Sequence, residues 1–203
     1  SSILSLAPKI SALIKKDCLV FDVGSTKAKI VRQLSGLFPF FVGTHPLAGS
    51  EKRGVNNALP DLFCNSLCII TPVNNTDSAA VSKVKRLWSI LGAKTLIMRP
   101  VQHDRILGFV SHLPHLVAFS LMNSVPGKFL KFSPVSFKEA TRVAASDSAL
   151  WADIIIDNRE NVLKAIGKFQ KGMEDIKSAV KKNNPAELAR IFQKAKKRRE
   201  CLK

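Results

Sequence analysis

Short apolar runs that stop abruptly, alternating with stretches of helical period, occupy the first hundred residues and constrain this chain more than any other feature. CLVF (18–21) breaks at Asp22-Val23-Gly24, FPFFVGTHP (38–46) ends in His45-Pro46, LCIITP (67–72) in Thr71-Pro72, and AKTLIMRP (93–100) in Pro100. Runs of this length bounded by Gly and Pro read as strands. Between the last two, residues 78–91 put Val81, Val84, Leu87, Trp88 and Leu91 on one helical face. Strands alternating with helices predict a largely parallel sheet. After Pro100 the strand signals stop and the chain becomes helical in period, with a polar break at SVPGKFLKFSPVS (124–136). The expected fold class is α/β followed by all-α, with domains at 1–99 and 100–203.

The helical half carries a narrow apolar seam, Val162, Ile166, Phe169, Met173, Ile176 and Val180, that wants a partner helix. Asn184-Pro185 supplies an N-cap and first-turn proline for a last helix striped by Leu188, Ile191, Phe192 and Ala195. The net charge is +17, but residues 161–203 hold 13 Lys/Arg against 4 Asp/Glu, so the excess is concentrated at the end. The terminal KAKKRREC reads as a solvated helix end, where the dipole favours cations. No nucleic-acid-binding motif accompanies the charge, and no nucleic-acid partner is expected. Residues 106–127 form 22 positions without a formal charge, near the length that spans a bilayer. Two histidines, two prolines, three serines and an asparagine among them favour a helix buried in a soluble protein, and no membrane is expected. The four cysteines, Cys18, Cys64, Cys68 and Cys201, lack the density of a disulfide scaffold and read as reduced thiols of a cytoplasmic protein. CNSLC (64–68) has no second ligand pair at finger spacing, so no metal site is expected.

All four histidines, His45, His103, His112 and His115, lie around the junction of the two halves, where clefts form. His45 closes the second strand and Ser25 comes after the first, so both fall at the carboxyl edge of a parallel sheet, where ligands bind. A histidine there can accept a proton at neutral pH. Gly24-Ser25-Thr26 opens a helix, whose free N–H groups attract anions, making Ser25 and Thr26 the cofactor-facing candidates. No G-x-S-x-G elbow accompanies Ser25, which argues against a hydrolase. In SHLPH (111–115) His112 and His115 share roughly one helix face, provided Pro114 sits in the first turn, and the plain reading of the pair is capping and packing. Arg142 is the natural bidentate partner of a carboxylate if it faces the cleft, and an ordinary surface residue if it does not.

DVGSTK (22–27), GTHPLAGSEKRGV (43–55), HDR (103–105), SHLPH (111–115) and FKEATRVAASDSALWADI (137–154), in this order and spacing, resemble the prephenate dehydrogenase family along essentially the whole chain. The resemblance implies the C-terminal half of a Rossmann-type nucleotide-binding domain, joined to an all-helical substrate-binding domain that forms a homodimer. It implies oxidative decarboxylation of prephenate to 4-hydroxyphenylpyruvate, in tyrosine biosynthesis, with NAD or NADP as cofactor. His45 would accept the proton of the ring hydroxyl and Ser25 would hydrogen-bond to that hydroxyl or to the histidine. Glu51 would order the cleft and limit access, Arg142 and His115 would hold the two carboxylates, and His112 and Trp151 would support them.

The family pattern has a G-x-G-x-x-G turn after its first strand, for close approach to the pyrophosphate. These 203 residues contain none, so the N-terminal half of the nucleotide domain is expected to be missing here, and cofactor binding is expected to be weak or absent if these residues are the entire protein. Two alternatives stand beside the enzyme: an arogenate dehydrogenase, and a truncated substrate-binding and dimerisation module that does not catalyse.

Overall fold

The computed structural model describes residues 2–48 and 59–202. Helix α1 (Ser2–Leu13) precedes β1 (Val20–Phe21), α2 (Ala28–Leu37), β2 (Phe41–Pro46), β3 (Leu67–Thr71), α3 (Ser78–Ile90) and β4 (Lys94–Ile97). The four strands form one sheet in chain order. β1 and β2 are parallel, with Val20 opposite Phe41, and β3 and β4 are parallel, with Leu67 opposite Lys94. The expectation of a largely parallel sheet needs one correction: β2 and β3 run antiparallel, His45 facing Ile69 and Pro46 facing Cys68. Parallel neighbours need a crossover, usually a helix, whereas residues 59–66 of the β2–β3 connection hold only turns.

Successive residues of β2 serve opposite faces, as the strand period requires. Phe41 packs with Ile30, Val31, Leu34 and Phe38 of the α2 side, while Val42 packs with Val84 and Trp88 of α3. The buried stripe of α3 is Ala80, Val84 and Trp88; Leu87 and Leu91 of the predicted face are exposed, because a helix lying on a sheet buries one narrow stripe. Asp77 caps α3 by accepting from the Ala80 N–H at 2.6 Å. Gly43 is where α2 comes closest: a Cβ there would stand 2.5 Å from Val31 Cγ2 and 2.5 Å from Thr71 Oγ1.

Every element assigned beyond β4 is helical. α4 (Pro100–Leu107), a π-helical turn (Gly108–His112) and α5 (Leu113–Ser124) run end to end, succeeded by a 3₁₀ turn (Gly127–Phe132) and α6 (Val135–Thr141). A second 3₁₀ turn (Arg142–Ala145), α7 (Ser148–Asp157), α8 (Arg159–Lys181) and α9 (Pro185–Glu200) complete the described chain. Residues 1–162 form one compact unit and 163–203 another. In the second, Asn184 caps α9 as its sequence predicts, accepting from the Glu187 N–H at 3.0 Å. Of the seam residues on α8, Phe169, Met173 and Val180 remain exposed.

The long apolar helix departs from expectation. Pro100–Ser124 is long and apolar enough to cross a membrane, and only 22% of its most apolar stretch is buried within this chain. Its inward face carries His103, Asp104, Leu107, Gly108, His112 and Ala118, while Val101 and Val110 point outward. Polar side chains face in because that face builds the candidate site.

Candidate functional site

Immediately after β1, the chain turns through Asp22 to Lys27 into α2, and two buried charges hold that turn to β2. Lys27, fully buried, donates its ammonium to the Asp22 carboxylate and, at 2.7 Å, to the Thr44 carbonyl. Asp22 in turn accepts from the Gly24 N–H at 2.9 Å and the Thr44 N–H at 3.2 Å, and the Thr44 hydroxyl donates to the Asp22 carbonyl. Burial lowers the Lys27 pKa despite the attraction of Asp22 and Asp104. A buried pair satisfied on both sides fixes geometry, since removing either partner would strand a charge. Its product is the placement of His45, the next residue of β2.

His45 is 9% exposed, and its Nδ1 lies 2.8 Å from Nε2 of fully buried His103. His103 Nδ1 lies 2.8 Å from Asp104 Oδ1. The Asp104 carboxylate also accepts from the Lys27 N–H at 2.7 Å and the Ala28 N–H at 2.8 Å, so a residue 76 positions downstream caps α2. Burial drives the His45 pKa down to about 2, helped by His103, Lys27 and His112, so the ring is neutral.

Asn158, buried at the start of α8, donates from Nδ2 to the Asp104 carbonyl at 2.7 Å and to His112 Nδ1 at 3.1 Å. A carbonyl can only accept, which fixes the amide orientation and makes His112 Nδ1 an acceptor with its proton on Nε2. Burial lowers His112 to about 4, against the pull of Asp104. Gly108 lets the π-helical turn lie against α8, its Cβ position 3.1 Å from Asn161 Cβ. His115 stacks on Trp151 with ring centroids 3.4 Å apart and planes 20° apart, and Trp151 meets His112 edge-on at 6.0 Å. His115 Nδ1 donates to the Ser111 carbonyl at 3.0 Å. Its pKa is lowered by burial and by the positive charge of Arg142, which places that guanidinium near the ring.

The fold therefore brings His45, His112, His115, Trp151 and Arg142 into one electrostatically connected neighbourhood. Ser25 is half-buried and Thr26 buried in the turn before α2. Glu51 lies outside the described residues. The α2 start does attract an anion, but the one it holds is the chain's own Asp104 carboxylate, which takes the Lys27 and Ala28 N–H groups. A nicotinamide dinucleotide thus fits only in part, since the leading N–H groups of α2 are already occupied. Lys27, Thr44, Asp104 and Asn158 were not singled out from sequence as site residues. HDR carried a signal for Asp104, a carboxylate beside a histidine; Asn158 carried none. Among the described residues no cluster of three His, Cys, Asp or Glu could hold a metal.

Comparison with known proteins converges with this geometry. Residues 1–97 match the family model for the prephenate dehydrogenase nucleotide-binding domain and 99–194 that for the prephenate dehydrogenase dimerization domain. The chain is 31% identical to a cyclohexadienyl dehydrogenase of Zymomonas mobilis, over 98% of this chain and 71% of that protein. It is 35% identical to a Bacillus subtilis prephenate dehydrogenase over 93% of this chain but only 53% of that one, so it spans about half of that relative's length. A crystal structure of Aquifex aeolicus prephenate dehydrogenase in complex with hydroxyphenyl propionate and NAD+ superposes with a TM-score of 0.90 at 36% identity, covering 98% of this chain and 72% of that one. With both models matched in sequence order and relatives above 30% identity aligned over nearly its whole length, this chain belongs to the prephenate dehydrogenase family.

Proposed function

We propose that this chain supplies the substrate-handling and proton-transfer residues for NAD- or NADP-dependent oxidative decarboxylation of prephenate to 4-hydroxyphenylpyruvate. The observation that carries the reading is His45: buried, neutral and held through Nδ1, with no hydrogen-bond partner on Nε2 among the described residues. The cofactor's part is to accept the hydride from the hydroxyl-bearing ring carbon. His45 takes the hydroxyl proton as that carbon becomes a carbonyl, and Ser25 donates a hydrogen bond to the same oxygen. The ring carboxylate leaves as carbon dioxide. The electron pair of the broken bond aromatises the ring onto its oxygen, to which the proton on His45 returns. A base with a free-state pKa near 2 is weak, but two substrate carboxylates raise its proton affinity when they bind beside it. Arg142 and His115 hold those carboxylates, with Trp151 keeping the His115 plane fixed and His112 offering Nε2–H. Glu51 limits access to the cleft. Functionally the chain divides at 1–99, facing the cofactor, and 100–203, binding substrate and forming a homodimer. We place it in the cytoplasm, a reading its four free cysteines support.

The test monitors nicotinamide reduction with prephenate plus NAD or NADP. Substituting His45→Asn should lower kcat by about 10²-fold or more, with substrate binding retained; an unchanged rate would remove His45 from the chemistry. A second reading, a module that binds prephenate without catalysing, is favoured by one observation: the Asp104 carboxylate occupies the α2 start. Prephenate binding by calorimetry with no reduction at saturating NAD and NADP would select it. Faster turnover of arogenate than prephenate would select the amino-substrate variant.

A further inference from the structure

We infer that His103 and Asp104 are positioning residues that hold His45 in the tautomer whose proton-accepting nitrogen is Nε2. The inference rests on the proposed role of His45 and adds how that role is imposed. Asp104 takes two backbone N–H bonds at the amino end of α2, where the helix dipole favours an anion, so its carboxylate can only accept. His103 therefore carries its proton on Nδ1, 2.8 Å from Asp104 Oδ1, and presents Nε2 as an acceptor. His45 must then donate from Nδ1 across 2.8 Å, leaving Nε2 bare. One carboxylate thus sets the direction of two imidazoles in series. His103 is fully buried and Asp104 4% exposed, so neither side chain is free to turn over. The same residue reaches the carboxylate-binding side, because the Asp104 carbonyl holds Asn158, and Asn158 fixes His112 as the Nε2–H tautomer. Residue 104 orients an acceptor with its side chain and a donor with its backbone.

The experiment reads imidazole nitrogen shifts by 15N NMR on the ligand-free chain at pH 7.5, so it needs neither cofactor nor turnover. His45 in the wild type should show protonated Nδ1 and bare Nε2. Replacing Asp104→Ala removes the acceptor that fixes His103 Nδ1–H, which should release both rings and leave the His45 proton shared between Nδ1 and Nε2. Should that variant fail to fold for want of the α2 cap, His103→Gln and His103→Leu decide: glutamine keeps an acceptor and the wild-type tautomer, leucine yields a mixture. A wild-type His45 protonated on Nε2, or a His103→Leu spectrum identical to wild type, would overturn the relay. Where the protein turns over prephenate, Asp104→Ala should lower kcat by about 10-fold or more, with little change in KM. The two claims fail separately. The expected tautomers in a protein inert towards prephenate would sink the proposed function alone, and the reverse tautomers in an active one would sink the relay alone.

Discussion

His115 has its Nδ1 committed to the Ser111 carbonyl, so in the neutral ring Nε2 is a lone pair and cannot donate to a carboxylate. Only the imidazolium can. Burial and Arg142 both lower its pKa in the free state, so substrate binding near neutrality must take up a proton there. Calorimetry in buffers of different ionisation enthalpy should show up to one proton absorbed per prephenate above pH 7, and none in His115→Asn. The buried neutral histidines also set the acid limit of stability. His45 and His112 titrate at about 2 and about 4 folded, and near the ordinary 6.5 unfolded. Both shifts are downward, so the unfolded chain binds the extra protons and stability falls as pH drops below about 6.5. Each group contributes a slope of up to about 1.4 kcal/mol per pH unit above its folded pKa. Urea midpoints should fall from pH 7.5 to 5.5, and His112→Gln should flatten that slope; an equal slope in the variant would remove His112 from the cause.

At the scale of elements, β2 joins core and chemistry in six residues. Phe41 and Val42 feed the two faces of the sheet, Gly43 admits α2, Thr44 ties down the Asp22–Lys27 pair and His45 comes next. Gly43→Ala should therefore act at a distance. With Val31 Cγ2 and Thr71 Oγ1 at 2.5 Å from the new methyl, the Val31 side of α2 or Thr71 must give way, costing about 1–3 kcal/mol, and a shift of α2 would weaken the Asp104 cap. Denaturant unfolding and the His45 nitrogen shifts should change together. A destabilised variant with unchanged shifts would mean that the α2 position does not govern the site.

For the whole molecule, exposed apolar residues on helices need cover. Phe169, Met173 and Val180 stand exposed along α8 and Phe192 on α9, and Val101 and Val110 do so on the long helix. A homodimer through the helical domain would bury them. Sedimentation should give a dimer for the wild type, and Met173→Glu with Phe169→Glu should shift it to monomer at micromolar concentration. A monomeric wild type would refute the assembly.

Strand positions, the α9 cap and the motif histidines were legible in the sequence because they depend on local pattern: apolar runs bounded by Gly and Pro, Asn before a helix, and motifs in register. The antiparallel β2–β3 pair was not, since periodicity records which face a side chain takes and not the direction of its neighbour. The polar inner face of the long helix was hidden for a related reason: composition counts apolar residues without saying which side of the helix is covered. His45 could be picked out as a candidate from its place at a strand end. What makes it neutral is burial, and what directs its proton is Asp104, which meets it through His103 and meets α2 from 76 residues away. Hydrogen-bond polarity passes from group to group through space, and only the folded chain decides which groups are neighbours.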